Sequence, residues 1–167
     1  MFHEVSISNL EFNPFTKIAK EWMLITAGDE QTCNTMTASW GGLGVLWNKN
    51  VSFVFLRPQR YTLEFLEKED SYSLCFFDEA QRNILNYCGS HSGRDVDKMK
   101  ETGLTTVYED GVPYFAQARM VIICKKLYKQ GLEPSCFIDS SLDAKNYPNK
   151  DYHTMFIGEI VKVLQKE

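Results

Sequence analysis

The most constraining stretch of this 167-residue chain runs from Asn34 to Thr62. It reads as a polar strand edge (Asn34-Thr35-Met36-Thr37-Ala38-Ser39-Trp40), a glycine pair (Gly41-Gly42), an apolar strand (Val51 to Leu56) and a basic, hydroxyl-bearing turn (Arg57-Pro58-Gln59-Arg60-Tyr61-Thr62) that opens a helix. Alternation of β-branched, polar and apolar residues from Thr32 to Trp40 favours a strand with one buried face. Pro58, which has no backbone donor, ends the second strand. Strand, strand, turn and helix in so short a span commit the region to a sheet carrying helices rather than to a helical bundle.

The rest of the chain extends that pattern. Asn13-Pro14 signals a helix start running to about Lys20, with Asn as cap and Pro at the first helical position. Trp22 to Ala27 is a strand closed by Gly28-Asp29. Gly41 to Gly44 interrupts regular structure, and Asn48-Lys49-Asn50 is a turn. A helix from Tyr61 to Lys68 turns Leu63, Phe65 and Leu66 inward. Ser71 to Phe77 is a strand, and Glu79 to Tyr87 a helix with Gly89 as its C-cap. Ser92 to Asp95 reads as a capping box for a helix over Val96 to Thr102. Gly111-Val112-Pro113 marks a turn. Gln117 to Tyr128 and His153 to Leu164 are long strands, separated by a turn-rich stretch from Gly131 to Asp151. Six or seven strands with short helices between them predict a single, mainly β domain over residues 1–167, with helices flanking a barrel.

Composition excludes several classes. A net charge of -4 leaves no general basic face for nucleic acid. No apolar run approaches the roughly 18 residues of a membrane span, and Met1 to Val5 shows no signal-peptide pattern. The five cysteines are odd in number, widely spaced and lack a CxxC, so they read as structural thiols in a reducing compartment, and the expected location is cytoplasmic. Neither GxGxxG nor GxSxG occurs, and His3, His91 and His153 form no metal-ligand pattern with the cysteines.

Within the constraining stretch, edge amides and hydroxyls suit the polar rim of a planar heterocycle, Trp40 can lie against its face, and the arginines suit a phosphate tail. Each piece also has a plainer reading. An amphipathic strand can bury its Trp in the core, and a helix start can simply expose its arginines. Gly41-Gly42 permits close backbone approach to a ligand. Free amides at a helix N-terminus, with Arg60 and the Thr62 hydroxyl beside them, favour an anion.

Taken in order and spacing, these residues resemble the flavin reductase-like family of FMN-binding split barrels, which includes flavoredoxins. The resemblance covers about Phe12 to Val163. It implies a Greek-key split β-barrel with short flanking helices, and FMN held by Asn34, Met36, Thr37, Ala38, Ser39 and Trp40 along the ring. On the phosphate side it implies Arg57, Arg60, Tyr61 and Thr62. Ser92-Gly93-Arg94-Asp95-Val96-Asp97-Lys98 also resembles a family segment, which makes Lys98 a flavin contact and Ser92 and Arg94 part of that wall. His153, ahead of Gly158-Glu159, matches a family position near the flavin and is expected to steady charge on the ring or shuttle a proton.

The family further implies a homodimer, and hydride transfer from NADH or NADPH acting as a transient donor. Electrons would pass on to a flavin, ferric iron or a redox partner protein. The alternative is a non-catalytic FMN carrier of flavoredoxin type, and a third reading is a flavin-free scaffold. Many relatives carry a tail that places an aromatic over the flavin. This sequence stops at Glu167, so the expectation is a more open flavin face, or one covered by the partner subunit or by the Gly131 to Asp151 loop.

Overall fold

The structure, a computed structural model, describes residues Met1–Lys166. After the short β1 (Phe2–Glu4), Asn13 caps α1 (Pro14–Thr16) by accepting from the amides of Phe15 and Thr16, and a π-helical turn (Lys17–Glu21) follows. Two antiparallel hairpins come next, β2 (Met23–Gly28) with β3 (Cys33–Ala38) and β4 (Gly42–Leu46) with β5 (Lys49–Leu56). The chain continues through α2 (Tyr61–Lys68), β6 (Ser71–Phe76), α3 (Arg82–Ser90), α4 (Lys98–Thr102) and the two-stranded ribbon of β7 (Thr106–Glu109) and β8 (Val112–Phe115). The long strands β9 (Met120–Gly131) and β10 (Thr154–Lys166) flank α5 (Ser140–Asn146).

All the pairings are antiparallel, and the main sheet runs β3-β2-β6-β9-β10-β5-β4, with β1 added to the far half of β10. Its terminal strands, β3 and β4, are joined by only Ser39, Trp40 and Gly41. Laid flat, six strand spacings would part them by ~29 Å, whereas four Cα steps reach at most ~15 Å. The sheet therefore rolls up. Its concave face encloses Ile25, Met36, Val54, Leu56, Tyr72, Leu74, Phe76, Ile122 and Phe156, with Phe65 and Leu66 of α2 in the same core. A second core lies outside, where α3 and the ribbon cover Leu24, Cys75, Val121 and Ile123. With both faces covered, β2 is buried along its whole length, which explains a mostly apolar run whose one hydroxyl, on Thr26, is paired with that of Thr35.

The mainly β class with flanking helices is as expected. Local details differ. Gly42 and Gly44 do not break structure: they sit in β4, where the Phe53 ring of β5 lies alongside both. The turn falls at Trp47-Asn48, both with positive φ (53° and 56°), the geometry of a two-residue hairpin loop. The same geometry recurs at Asp110-Gly111, so Val112 and Pro113 lie in a strand and not in the turn. Gly89 is inside α3, which His91 ends. α4 starts two residues later than expected, because Asp97 and not Ser92 caps it, accepting from the Lys100 amide.

Register shifts against β9 bend β10 between Ile157 and Gly158 and again between Ile160 and Lys162. The Tyr72 hydroxyl fills the first bend. It is 2.7 Å from Ser52 Oγ, and a Cβ on Gly158 would stand 2.4 Å from it and 3.0 Å from the Cβ of Cys124. Gly158→Ala is therefore expected to cost ~1–3 kcal/mol through overpacking, read as a lower urea midpoint. Gly131→Ala, which meets nothing within 4 Å, should leave the midpoint in place.

Candidate functional site

Two cations with no carboxylate partner among the described residues define the site. Lys98, 3% exposed, donates from Nζ to the carbonyls of Thr35 and Cys88, both at 2.8 Å. Arg60 donates to the carbonyl of Gly89 at 3.0 Å. Cys88 and Gly89 lie in the last turn of α3, whose carbonyls have no helical partner, so the cations satisfy that helix end. Among the described residues neither cation forms an ion pair. Burial, with the Arg60 charge nearby, pushes Lys98 down to about 8, and burial followed by Arg57 lowers Arg60. Burial and neighbouring arginine charge thus disfavour the protonated form of both cations, so a negative charge beside them would stabilise them.

Both line a cleft of about 440 Å³ into which the N-terminus of α2 opens. Arg60 is the N-cap residue of α2, yet no side chain caps the helix. Tyr61 and Thr62 line the cleft with His91 and Ser92. The Thr62 hydroxyl, 1% exposed, accepts from Asn34 Nδ2 at 2.8 Å, which leaves its own proton to donate. The Asn34 carboxamide needs Gly93 beside it, since a Cβ there would stand 2.0 Å from Asn34 Oδ1.

Met36, Arg57 and Arg60 also border a narrower slot of about 180 Å³. Its walls are Thr37, Ala38, Ser39 and Trp40 along β3 and the seam, Phe55 of β5, and His153 just before β10. Thr37 Oγ1 donates to the Leu85 carbonyl at 2.5 Å, fixing β3 to α3. Trp40 is 53% exposed and lies 5.5 Å from the His153 ring, while Phe55 meets that ring edge-on at 6.5 Å. His153 is 7% exposed; burial first, then the Arg57 charge, pushes it down to about 4. At neutral pH its imidazole is uncharged.

Of the residues expected at a site, Met36 to Trp40, Arg57, Arg60, Tyr61, Thr62, Ser92, Lys98 and His153 surround these two joined clefts. Asn34 does not; it borders a neighbouring cavity of about 560 Å³ and reaches the cleft only through Thr62. Arg57 is already engaged. It pairs with Asp151 Oδ2 at 2.8 Å, donates to the Asn146 carbonyl at 2.9 Å, and lies 4.9 Å from the Tyr147 ring centre. Gln59 donates to the same Asp151 oxygen, and these hydrogen bonds hold the carboxyl below its ordinary range. Arg94 is likewise spent, on Glu64 and over the Tyr61 ring. Sequence reasoning missed Tyr147, whose hydroxyl meets His153 at 2.7 Å. It lies in the stretch that carried no periodicity, so no local signal marked it.

The sequence matches the flavin reductase like domain family over residues 15–167. No curated protein sequence matches it. Among solved structures, an FMN-binding protein from Thermus thermophilus superposes with a TM-score of 0.67 at 24% identity, covering 87% of this chain and 71% of that one. Flavoredoxin of Desulfovibrio vulgaris (Miyazaki F) gives 0.69 at 23%, covering 99% and 78%. The Streptomyces globisporus NADH:FAD oxidoreductase, in complex with NAD and FAD fragments, gives 0.65 at 16%, covering 87% and 75%. At such identities these structures speak for the fold. With the family match spanning nearly the whole sequence, the chain belongs to the flavin reductase like domain family.

Proposed function

We propose that the chain binds FMN in the joined clefts and acts as an NAD(P)H-dependent flavin reductase. It would pass hydride from NADH or NADPH to FMN, and electrons on to a flavin, ferric iron or a protein acceptor. The observation that carries this reading is the pair of uncompensated cations, Arg60 and Lys98, beside the uncapped N-terminus of α2. A phosphate dianion suits that end, because it supplies the missing negative charge and accepts from the amides there. The slot beyond it, lined by Trp40, Phe55 and His153, suits a flat aromatic ring with polar edges.

When bound, FMN supplies the redox chemistry, the uptake of two electrons as hydride and their release to an acceptor. The chain's part is binding and orientation. Arg60, the Thr62 hydroxyl and the α2 amides hold the phosphate, with the Lys98 charge behind them. The β3 edge and Trp40 set the plane of the ring. Arg57 fastens the segment before β10 against the slot through Asp151, and so keeps His153 in place.

A homodimer is part of the same reading. Outward-facing Phe53 pairs with Ile157, which pairs with Tyr128, and Trp47 lies 6.3 Å from Tyr128, with both of these rings exposed. This apolar face is continuous with Phe55 at the slot. The five cysteines, none in a disulfide, suit a reducing, cytoplasmic setting. Among the described residues, no helix is long and apolar enough to cross a membrane.

The phosphate assignment is tested by titrating the protein with FMN and with riboflavin, which lacks the phosphate. Arg60→Ala should weaken FMN roughly ten- to hundredfold, for the loss of charged hydrogen bonds worth ~1.5–3 kcal/mol, and weaken riboflavin much less. Equal FMN affinity in both proteins would refute the assignment. FMN affinity should also be highest between ~6, where the phosphate becomes dianionic, and about 8, and then fall as free Lys98 loses its proton while bound Lys98 keeps it.

Enzyme activity is tested by adding NADH or NADPH anaerobically to the flavin-loaded protein. Prompt bleaching of the visible absorbance is expected. A bound flavin that stays oxidised would instead identify an electron carrier. Sedimentation equilibrium should give twice the chain mass, and Trp47→Glu should return the monomer; a monomeric wild type would remove the dimer.

A further inference from the structure

Between β9 and β10 the chain leaves the sheet and packs back against the end of the slot, where three of its aromatic rings gather. Tyr147 lies 5.9 Å from Phe137 and 4.9 Å from Tyr152, ring centre to ring centre, and the Arg57 guanidinium rests on it. Held on these sides and 5% exposed, Tyr147 brings its hydroxyl to 2.7 Å from Nδ1 of His153, itself 7% exposed. Among the described residues, neither the phenol oxygen nor the imidazole has another hydrogen-bond partner.

That isolation fixes the direction of the bond. Were Nδ1 to donate, the phenol's own proton would be buried without an acceptor, at a cost of ~1–3 kcal/mol. With the phenol donating to Nδ1, the hydroxyl proton is used and the imidazole proton sits on Nε2. That nitrogen is not among the buried side-chain atoms left without a partner, so it keeps some exposure, and the ring that carries it lines the slot.

We propose that Tyr147 is a positioning residue that locks His153 as its neutral Nε2–H tautomer, so that the slot offers one fixed, uncharged N–H donor to an acceptor on the planar ring, a carbonyl oxygen or a ring nitrogen. This rests on the flavin reading of the slot. It assigns the two ends of the site different chemistry: positive charge at the phosphate, a neutral donor at the ring. It also removes His153 as a proton shuttle near neutrality, because Nδ1 is already occupied. The charged or titratable groups facing the imidazole agree with a neutral ring. Arg57 and Arg60, from the turn before α2, disfavour its protonation; only Asp151, from the segment before β10, favours it, and burial outweighs that. The phenol of Tyr147 is itself held protonated, chiefly by burial.

Long-range proton–nitrogen NMR spectra of the flavin-free, nitrogen-15-labelled protein test this directly. The chain has three histidines, so the signal is assigned by its loss in His153→Gln. Wild type should show a single Nε2–H tautomer, unchanged from pH 8 down to about 5. In Tyr147→Phe, with no phenol proton to hold Nδ1, the tautomer should become mixed. A wild-type Nδ1–H tautomer would overturn the proposal even if the variant failed to fold, and so would a Tyr147→Phe spectrum identical to wild type. Because no flavin is present, the result stands apart from the functional reading. A protein that shows the Nε2–H tautomer but binds no FMN would sink the flavin site and leave the Tyr147–His153 assignment intact.

Discussion

The three-residue seam from Ser39 to Gly41 governs this molecule. It joins the two terminal strands of the sheet order, and chain connectivity across so short a link forces the sheet to roll up. Rolling creates the inner core and brings the end of β3 beside β5 and the start of β10. Trp40, Phe55 and His153 come from distant parts of the chain and share one slot for that reason. The same closure leaves Trp47 and Tyr128 exposed beside the convex face of β5 and β10.

A second level of organisation is electrostatic. The site's cations are held by carbonyls and not by carboxylates, at the spent end of α3 and on the edge of β3. Carbonyls orient a cation without cancelling its charge, so the cleft retains a positive field for an anionic ligand. Arg57 shows the contrast. Its charge is met by Asp151, and it serves to fasten the segment before β10. Two arginines three residues apart thus have different functions, decided by whether a carboxylate lies within reach.

Much of the fold was legible in the residues. Asn13-Pro14 capped its helix as read, and the amphipathic Tyr61 to Lys68 segment buried Phe65 and Leu66. The errors have physical causes. Gly42 and Gly44 looked like breakers because their local preference is weak, yet pairing with β5 and contact with Phe53 hold them in a strand. Ser92 looked like a cap, but Asp97 stands nearer the helix that forms. The site was legible where it followed a local rule, as at the helix start of Arg60 to Thr62. It was illegible at Tyr147, where the only signal is a contact made by folding.

The sequence by itself determined the mainly β class, the helix start that offers amides to an anion, and the supply of cations, aromatics and hydroxyls around it. These follow from periodicity, capping and composition, which act over a few residues. Only the tertiary structure decided which arginine meets a carboxylate among the described residues, that Asn34 bonds Thr62, and that Tyr147 meets His153. Each of those depends on a partner brought near by the rolled sheet or by the segment before β10. Burial, which sets the charge state of His153 and Lys98, is a property of the packed molecule and is not carried by any residue alone.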